Sequence, residues 1–241
     1  MTLQLPPAAS ETANKCMKLS GQLDPCATLS WRTTRVCGLI PGAGFHRYIF
    51  TAVPRAALPV MPRGYSVRAL DAAEARQLDL GTPLDAVKYR LAMGCTALAA
   101  FNRKGELVGA FWLTDQPFRE DEIDLWYDTQ GQGAWDLGLY VPPEHRATRA
   151  FAALWAGAGE WLDARGLDWS FSRITDYNAA SISAHARLQG WRLGTAWAFS
   201  MGKWQLTGSS LLPRPRWHRI GGNTPVIRLT APRMDQGREI V

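Results

Sequence analysis

The part of this 241-residue chain best suited to chemistry is the segment LYVPPEHRATRAFAALW, residues 139–155. Its pattern predicts a strand that two consecutive prolines end, a short turn, and then a helix starting near Arg146. The free N–H groups and the dipole at a helix N-terminus both favour a bound anion. Arg149 adds a second positive charge, and the residues around it are small. The stretch from Arg146 to Phe151 is therefore a candidate anion site; a plain strand-to-helix connection with solvated arginines is the alternative.

The elements that must position this segment alternate between strands and helices. Strands are predicted at 65–70, 96–101, 107–114, 134–141, 167–174 and 191–199, and helices at 72–78, 84–92, 146–164 and 178–188. Such alternation predicts an α/β fold with helices on the faces of a central sheet. A polar turn at 102–105 joins two of the strands as a hairpin, so the predicted sheet is mixed and mostly antiparallel.

Three pieces of the chain, in the expected order, resemble the GNAT superfamily of acyl-CoA-dependent N-acyltransferases. The strand and turn LYVPPEHR is similar to the family's fourth strand running into its pyrophosphate loop. RATRAF falls where the family has Arg or Gln, two residues, Gly, one residue, and Gly or Ala. NAASISAHARLQGWRLGT, from Asn178, is similar to the second signature, in which an Asn and a short helix precede a Gly–aromatic pair. The resemblance covers residues 65–205.

The chain departs from the family pattern within this loop. Only the leading Arg146 fits outright, because Arg149 stands where the family has Gly and Phe151 where it has Gly or Ala. A long side chain at these positions crowds a phosphate, although Arg149 could instead bond a phosphate itself. The second signature also carries an extra residue, Gln189, before its Gly. These departures bear on CoA affinity more than on the fold.

The resemblance implies a splay between the fourth and fifth strands that takes acetyl-CoA or another acyl-CoA as co-substrate. The residues implied to cradle its pyrophosphate are Arg146, Ala147, Thr148, Arg149, Ala150 and Phe151. The backbone of Leu139, Tyr140 and Val141 is implied to pair with the pantetheine arm like an added strand. Asn178 is implied to bond that arm near the thioester.

The reaction implied by the resemblance is direct attack of an amine on the thioester carbonyl. Asp136, on the strand before the loop, is the predicted general base, with proton transfer to water as the alternative. His185 stands where the family often has a Tyr and is the predicted proton donor to the leaving thiolate. A packed or surface histidine is the alternative there, and Tyr140 and Tyr177 are other hydroxyl donors. The acidic run 120–122 could supply the base, attract a cationic amine, or be a solvated turn.

Composition restricts the partners, metal sites and cellular location that we expect for this chain. Lys and Arg number 27 against 21 Asp and Glu, a net charge of +6 that suits an anionic ligand or an acidic partner. The basic residues form no compact block with interleaved aromatics, so no nucleic-acid partner is expected. The four cysteines lack the spacing of a metal site, and no metal is expected. Without a signal sequence or a spanning stretch, the expected location is the cytoplasm, with reduced thiols.

The flanking regions are predicted as extensions of a GNAT-like domain at 63–205. Residues 1–62 form an irregular N-terminal extension, mobile over the first 30 residues, with a strand at 45–53. Residues 206–241 form a C-terminal extension with a strand at 224–230, and we predict that these two strands pair with each other.

Three functions stay open at this point. The first is an acyltransferase acting on a small-molecule or protein amine. The second is a GNAT-like binding or scaffold module that has lost catalysis. The third is a basic protein that binds nucleic acid or a membrane surface, supported only by the net charge and the arginines near the C-terminus. A homodimer is also left open.

Overall fold

The computed structural model describes residues 17–232, which build two sheets and five helices. The strands are β1 (Met17–Lys18), β2 (Ala43–Pro54), β3 (Tyr65–Ala69), β4 (Thr96–Asn102), β5 (Leu107–Thr114), β6 (Phe118–Arg119), β7 (Trp126–Asp128), β8 (Gly133–Tyr140), β9 (Trp169–Thr175), β10 (Trp191–Met201), β11 (Trp204–Ser209), β12 (Arg216–Arg219) and β13 (Val226–Arg228). The helices are α1 (Ala27–Cys37), α2 (Ala72–Gln77), α3 (Leu84–Ala92), α4 (Ala150–Asp163) and α5 (Ala179–Arg187).

The large sheet has the order β12-β11-β10-β2-β9-β8-β5-β4-β3, and β1 pairs with the start of β10. Its neighbours are antiparallel except for β8 and β9, which run parallel. The small sheet consists of β13, β7 and β6. This arrangement confirms the predicted α/β fold, a mixed and mostly antiparallel sheet flanked by helices.

Each face of the large sheet carries its own hydrophobic core. On one face α4 packs against β3, β4 and β5, with Leu154 and Trp155 fully buried. Gly157 permits this close packing, because a Cβ there would lie 2.3 Å from Val67 Cγ1. The opposite face is covered by α2, α3 and the small sheet, over a core that includes Trp112 and Trp135. The two layers hold the sheet rigidly from both sides.

Strand β2 lies in the interior of the large sheet, between β9 and β10. It is antiparallel to both, with Tyr48 opposite Thr175 on one side and Ile49 opposite Thr195 on the other. The predicted pairing of this strand with residues 224–230 is therefore wrong; β13 pairs in parallel with β7 instead. The physical reason is that β2 is continuously buried from Tyr48 onward, and such a strand needs partners on both edges.

Two further predictions about local structure need correction. Residues 27–30, assigned to a mobile extension, begin helix α1, which is tied to the sheet by a 2.7 Å hydrogen bond from Ser30 Oγ to Asp176. Helix α4 begins at Ala150 rather than near Arg146, because a short 3-10 turn at Pro143–His145 follows the prolines first. Predicted features within 1–16 and 233–241 lie outside the described residues. Among residues 17–232, no helix combines the length and apolarity needed to cross a membrane.

We expect Phe50→Ala to lower the free energy of unfolding by about 3–5 kcal/mol. The Phe50 ring is fully buried in β2 and contacts Tyr127 and Trp135. Urea unfolding followed by circular dichroism measures the change. The matched control is Leu39→Ala, an exposed position just before the same strand, where a change within about 0.5 kcal/mol is expected. Equally small effects in both variants would contradict an interior position for β2.

Candidate functional site

The two parallel strands of the sheet part halfway along their length. Pairing between β8 and β9 runs from Gly133 opposite Trp169 to Asp136 opposite Ser172 and ends there. A β-bulge lies at the same point, since Trp112 and Leu113 of β5 pair with Gly138 and Asp136 and leave Leu137 unpaired. Bulges bend a strand and increase its twist. The bend carries β8 away from β9 and opens a gap in the sheet.

A cleft of about 870 Å³ fills this gap, within the usual range for small-molecule and cofactor sites. Its wall combines backbone from the far half of β8, aromatic rings from β5 and α4, and polar residues from β9 and α5. The lining residues are Phe111, Asp136, Leu137, Gly138, Leu139, Tyr140, Val141, Arg146, Phe151, Trp155, Arg173, Ile174, Thr175, Asn178, Ala180, Ser181, Ala184, His185 and Arg187.

Most of the residues predicted from the sequence line this one cleft. Those that do are Asp136, Leu139, Tyr140, Val141, Arg146, Phe151, Asn178 and His185. Those that do not are Ala147, Thr148 and Arg149, in the turn before α4, and Ala150, its first residue. Tyr177 and the acidic run 120–122 also lie outside the lining. Sequence reasoning missed Phe111, Trp155, Arg173 and Arg187, which no local motif marks.

Asp136 is a buried carboxyl at the inner end of the cleft. Burial raises its pKa to about 7, and the neighbouring hydroxyls of Ser172 and Ser170 only partly oppose that rise. The Ser170 Oγ lies 3.3 Å from Asp136 Oδ2. A carboxyl with a pKa near 7 is divided between its two protonation states at neutral pH, which is the condition for efficient general base catalysis.

His185 is bonded on both ring nitrogens. Its Nδ1 lies 2.8 Å from the carbonyl oxygen of Ser181, which can only accept, so Nδ1 carries the proton. Its Nε2 therefore accepts a hydrogen bond from the Ser172 hydroxyl at 3.0 Å. Burial lowers the pKa of His185 and keeps the ring neutral. In this tautomer His185 has no free proton for a ligand in the cleft.

One hydroxyl connects the two predicted catalytic residues. Ser172 donates to His185, lies beside Asp136 closely enough to influence its pKa, and lies 2.9 Å from Thr51 Oγ1 of the interior strand β2. Ser172 and Thr51 are both fully buried. The network is neutral apart from Asp136 and lies on the face of the sheet that α4 and α5 cover.

Arg173 also lines the cleft, and its side chain lies on the opposite face of the sheet, where two carboxylates balance its positive charge. Its guanidinium donates to Glu120 and, at 2.9 Å, to Glu122. Burial alone would raise the pKa of Glu120, but the charge of Arg173 lowers it to about 2. A hydrogen bond with Glu120, reinforced by burial, raises the pKa of Asp121 to about 6. Glu120 is thus held as an ion-pair partner rather than as a free base.

The mouth of the cleft is positively charged. Arg146 and Arg187 are both exposed there, and within residues 17–232 neither forms an ion pair. Arg146 Nε donates only to the carbonyl of Val141 at 3.3 Å. Asn178 caps α5 by accepting a hydrogen bond from Ser181 N, which leaves its NH₂ group free to donate. The described residues contain no group of His, Cys, Asp and Glu arranged to hold a metal.

No protein-family model matches the chain, and no curated protein matches it in sequence. Solved structures do match. A functionally unknown conserved protein from Staphylococcus epidermidis is 11% identical, over 77% of this chain and 71% of that chain, with a TM-score of 0.50. At this identity the similarity concerns the fold alone.

GNAT acetyltransferases also occur among the solved structures found. A tandem GNAT protein from the clavulanic acid biosynthesis pathway is 14% identical, over 80% of this chain and 63% of that chain, with a TM-score of 0.45. A Drosophila protein, for which no activity or family is stated, is 16% identical, over 74% of this chain and 58% of that chain, with a TM-score of 0.44. The chain therefore spans less than two thirds of the length of these two proteins.

Proposed function

We propose that this chain is an acyltransferase that moves an acetyl or longer acyl group from acyl-CoA to the amine of a small molecule or protein. The observation that carries the proposal is the parting of β8 and β9 beside Asp136. It places an unpaired strand edge, a positively charged mouth and a buried carboxyl with a pKa near 7 in one cleft.

The cleft residues fit the parts of acyl-CoA. The β9-facing backbone of β8 beyond Asp136 has no strand partner among the described residues, so amide groups of a pantetheine arm can pair with it. Arg146 and Arg187 at the mouth supply charge-assisted hydrogen bonds for phosphate oxygens. Phe111 and Trp155 offer apolar surface for an acyl chain. The free NH₂ group of Asn178 is a donor for the arm.

The chemistry needs one proton acceptor and one proton donor. As the amine attacks the thioester carbonyl, a C–N bond forms, the C–S bond breaks, and the amine proton passes to Asp136. The sulfur leaves with the bonding electron pair and must be protonated. His185 is neutral and its only ring proton is already donated to Ser181. Tyr140 is therefore the better donor, since it belongs to the cleft lining whereas Tyr177 does not.

Phe151 favours a second candidate function, a GNAT-like module without turnover. Its ring lines the cleft and packs against Trp155 at a centroid distance of 6.3 Å. The GNAT pattern has Gly or Ala at this position, and an aromatic ring reduces the room for a phosphate at the start of α4. Binding without turnover would distinguish this function from the acyltransferase.

We expect acetyl-CoA or a longer acyl-CoA to raise the melting temperature of the protein in a saturable way, because a ligand stabilises the state that binds it. Arg146→Ala and Arg187→Ala should each weaken binding about tenfold or more, the usual effect of losing a charge-assisted hydrogen bond. Thermal unfolding against ligand concentration measures both.

The matched control for these variants is Lys104→Ala, which removes an exposed cation from the β4–β5 turn. It should bind like the natural protein. Arg149→Ala tests separately whether the predicted loop arginine takes part. No saturable shift with any thioester would contradict the proposed function.

If Asp136 is the base, kcat should rise with pH through about 7, the pKa of its carboxyl in the cleft. Asp136→Asn cannot accept the proton, and we expect it to lower kcat by about 10²–10⁴-fold while acyl-CoA binding is retained. Steady-state rates across pH with a panel of amines measure this. An unchanged pH profile in the variant would exclude Asp136 as the base.

The same pKa can be tested without any substrate, through protein stability. An unfolded Asp ionises near 3.8, whereas native Asp136 stays protonated up to about 7. The native state binds more protons between these values, so its stability falls as the pH rises through that window. Asp136→Asn should therefore gain stability relative to the natural protein between about pH 4 and about pH 8, by up to a few kcal/mol. Asp85→Asn, at a fully exposed position, should show no such gain.

A further inference from the structure

Three chain reversals converge at one end of the large sheet and carry bulky apolar side chains. Gly202 N donates to Gly42 O at 2.7 Å, which joins the approach to β2 to the β10–β11 turn. Ile220 N donates to Lys203 O at 2.9 Å, which joins the end of β12 to the same turn. We call these side chains the tip surface: Leu39, Ile40, Met201, Trp204, Trp217 and Ile220.

The tip surface is exposed to a degree that is unusual for its residue types. Leu39 is 83% exposed and Trp217 58%, and the other four members also count as exposed. The rings of Trp204 and Trp217 stack with an interplanar angle of 15° and a centroid distance of 5.9 Å, on the free edge of the sheet. Clustered apolar exposure of this kind marks an interaction surface.

Positive charge borders the tip surface, and the acid bonded beside it, Asp124, is buried and paired with Arg119. Lys203, Arg216 and Arg219 are exposed on β11, β12 and their turns, and within residues 17–232 none of them forms an ion pair. The sequence contains no Asp or Glu from residue 177 to residue 234. A partner for this surface must therefore combine an apolar phase with negative charge.

We propose that the tip surface docks the protein on the face of an anionic lipid bilayer. Tryptophan rings settle at the boundary between headgroups and acyl chains, and basic side chains beside them attract anionic lipids. A nucleic acid would use the tryptophans and arginines but leaves Leu39, Ile40 and Ile220 without an apolar partner. A second copy of this chain is a poorer partner because of charge repulsion. If the β12 edges of two copies paired antiparallel about their centre, Arg216 of one copy would lie opposite Arg219 of the other.

Docking in this way would also orient the cleft. The cleft opens beyond Asp136 and Ser172, toward the end of β9 at Thr175, which is level with Tyr48 of β2. Followed from Tyr48 back toward its first residue, β2 reaches Ala43, which lies beside the tip surface. The tip surface and the cleft mouth therefore lie toward the same end of the sheet, and a docked molecule presents its cleft toward the bilayer.

Vesicle co-sedimentation of the full chain tests the proposal. We expect binding to phosphatidylcholine vesicles that contain a quarter phosphatidylglycerol, little binding to phosphatidylcholine alone, and release at high salt. Trp204→Ser with Trp217→Ser should lower the partition coefficient by at least about tenfold. Lys203→Gln with Arg219→Gln should remove the preference for anionic lipid. Because all four side chains are exposed, circular dichroism melts should stay close to those of the natural protein.

The matched control is Met17→Ser with Lys18→Gln, an exposed apolar and basic pair on β1. These residues lie opposite Arg192 and Trp191, which are level with Thr51 and Ala52 of β2, about 26 Å along that strand from Ala43 and the tip surface. This variant should therefore bind vesicles normally. An equal loss in the control, or no sedimentation with anionic vesicles, would overturn the proposal. Two other outcomes would also overturn it, if the natural protein does not bind vesicles. In one, the tryptophan variant changes from dimer to monomer; in the other, it loses binding to RNA.

Discussion

The parting of β8 and β9 is the constraint on which the candidate site depends. Each strand keeps a partner on its outer edge past the point of separation: β8 pairs with β5 as far as Tyr140, and β9 pairs with β2 as far as Thr175. The gap is therefore held open by the sheet on both sides and does not require a ligand to form it. Asp136 lies at the branch point, where it is buried but still lines the cleft.

The alternation of side chains along β9 separates two kinds of electrostatics. Ser172 points to the face beneath α5 and joins an uncharged hydroxyl network, whereas the next residue, Arg173, points to the opposite face and meets Glu120. Burial raises the pKa of Asp136 to about 7, and the ion pair with Arg173 lowers that of Glu120 to about 2. At neutral pH Glu120 is therefore ionised, whereas Asp136 is divided between its two protonation states.

Local patterns in the sequence, together with the resemblance to the GNAT superfamily, predicted much of the cleft wall. The strand that carries Asp136 and the N-cap at Asn178 are short-range patterns, and the resemblance implied that both residues lie in one site. The bonding of His185 could not be predicted, because it depends on Ser172, a residue on a different element. The interior position of β2 was missed for the same reason: its apolar run indicates burial, but only pairing across more than a hundred residues decides between which strands it lies. The start of α4 shows a smaller failure, in which a 3-10 turn replaced the expected first helical turn.

The interior position of β2 has a consequence for synthesis on the ribosome. The strand leaves the exit tunnel early, but its two neighbours begin only at Trp169 and Trp191. Until β9 has been made, the buried run of β2 from Tyr48 onward has no native strand to pair with, and until β10 follows one of its edges stays open to other chains. Closing such distant contacts is slow compared with forming local hairpins. The nascent chain therefore passes through an interval of more than a hundred residues in which β2 has no native partner strand.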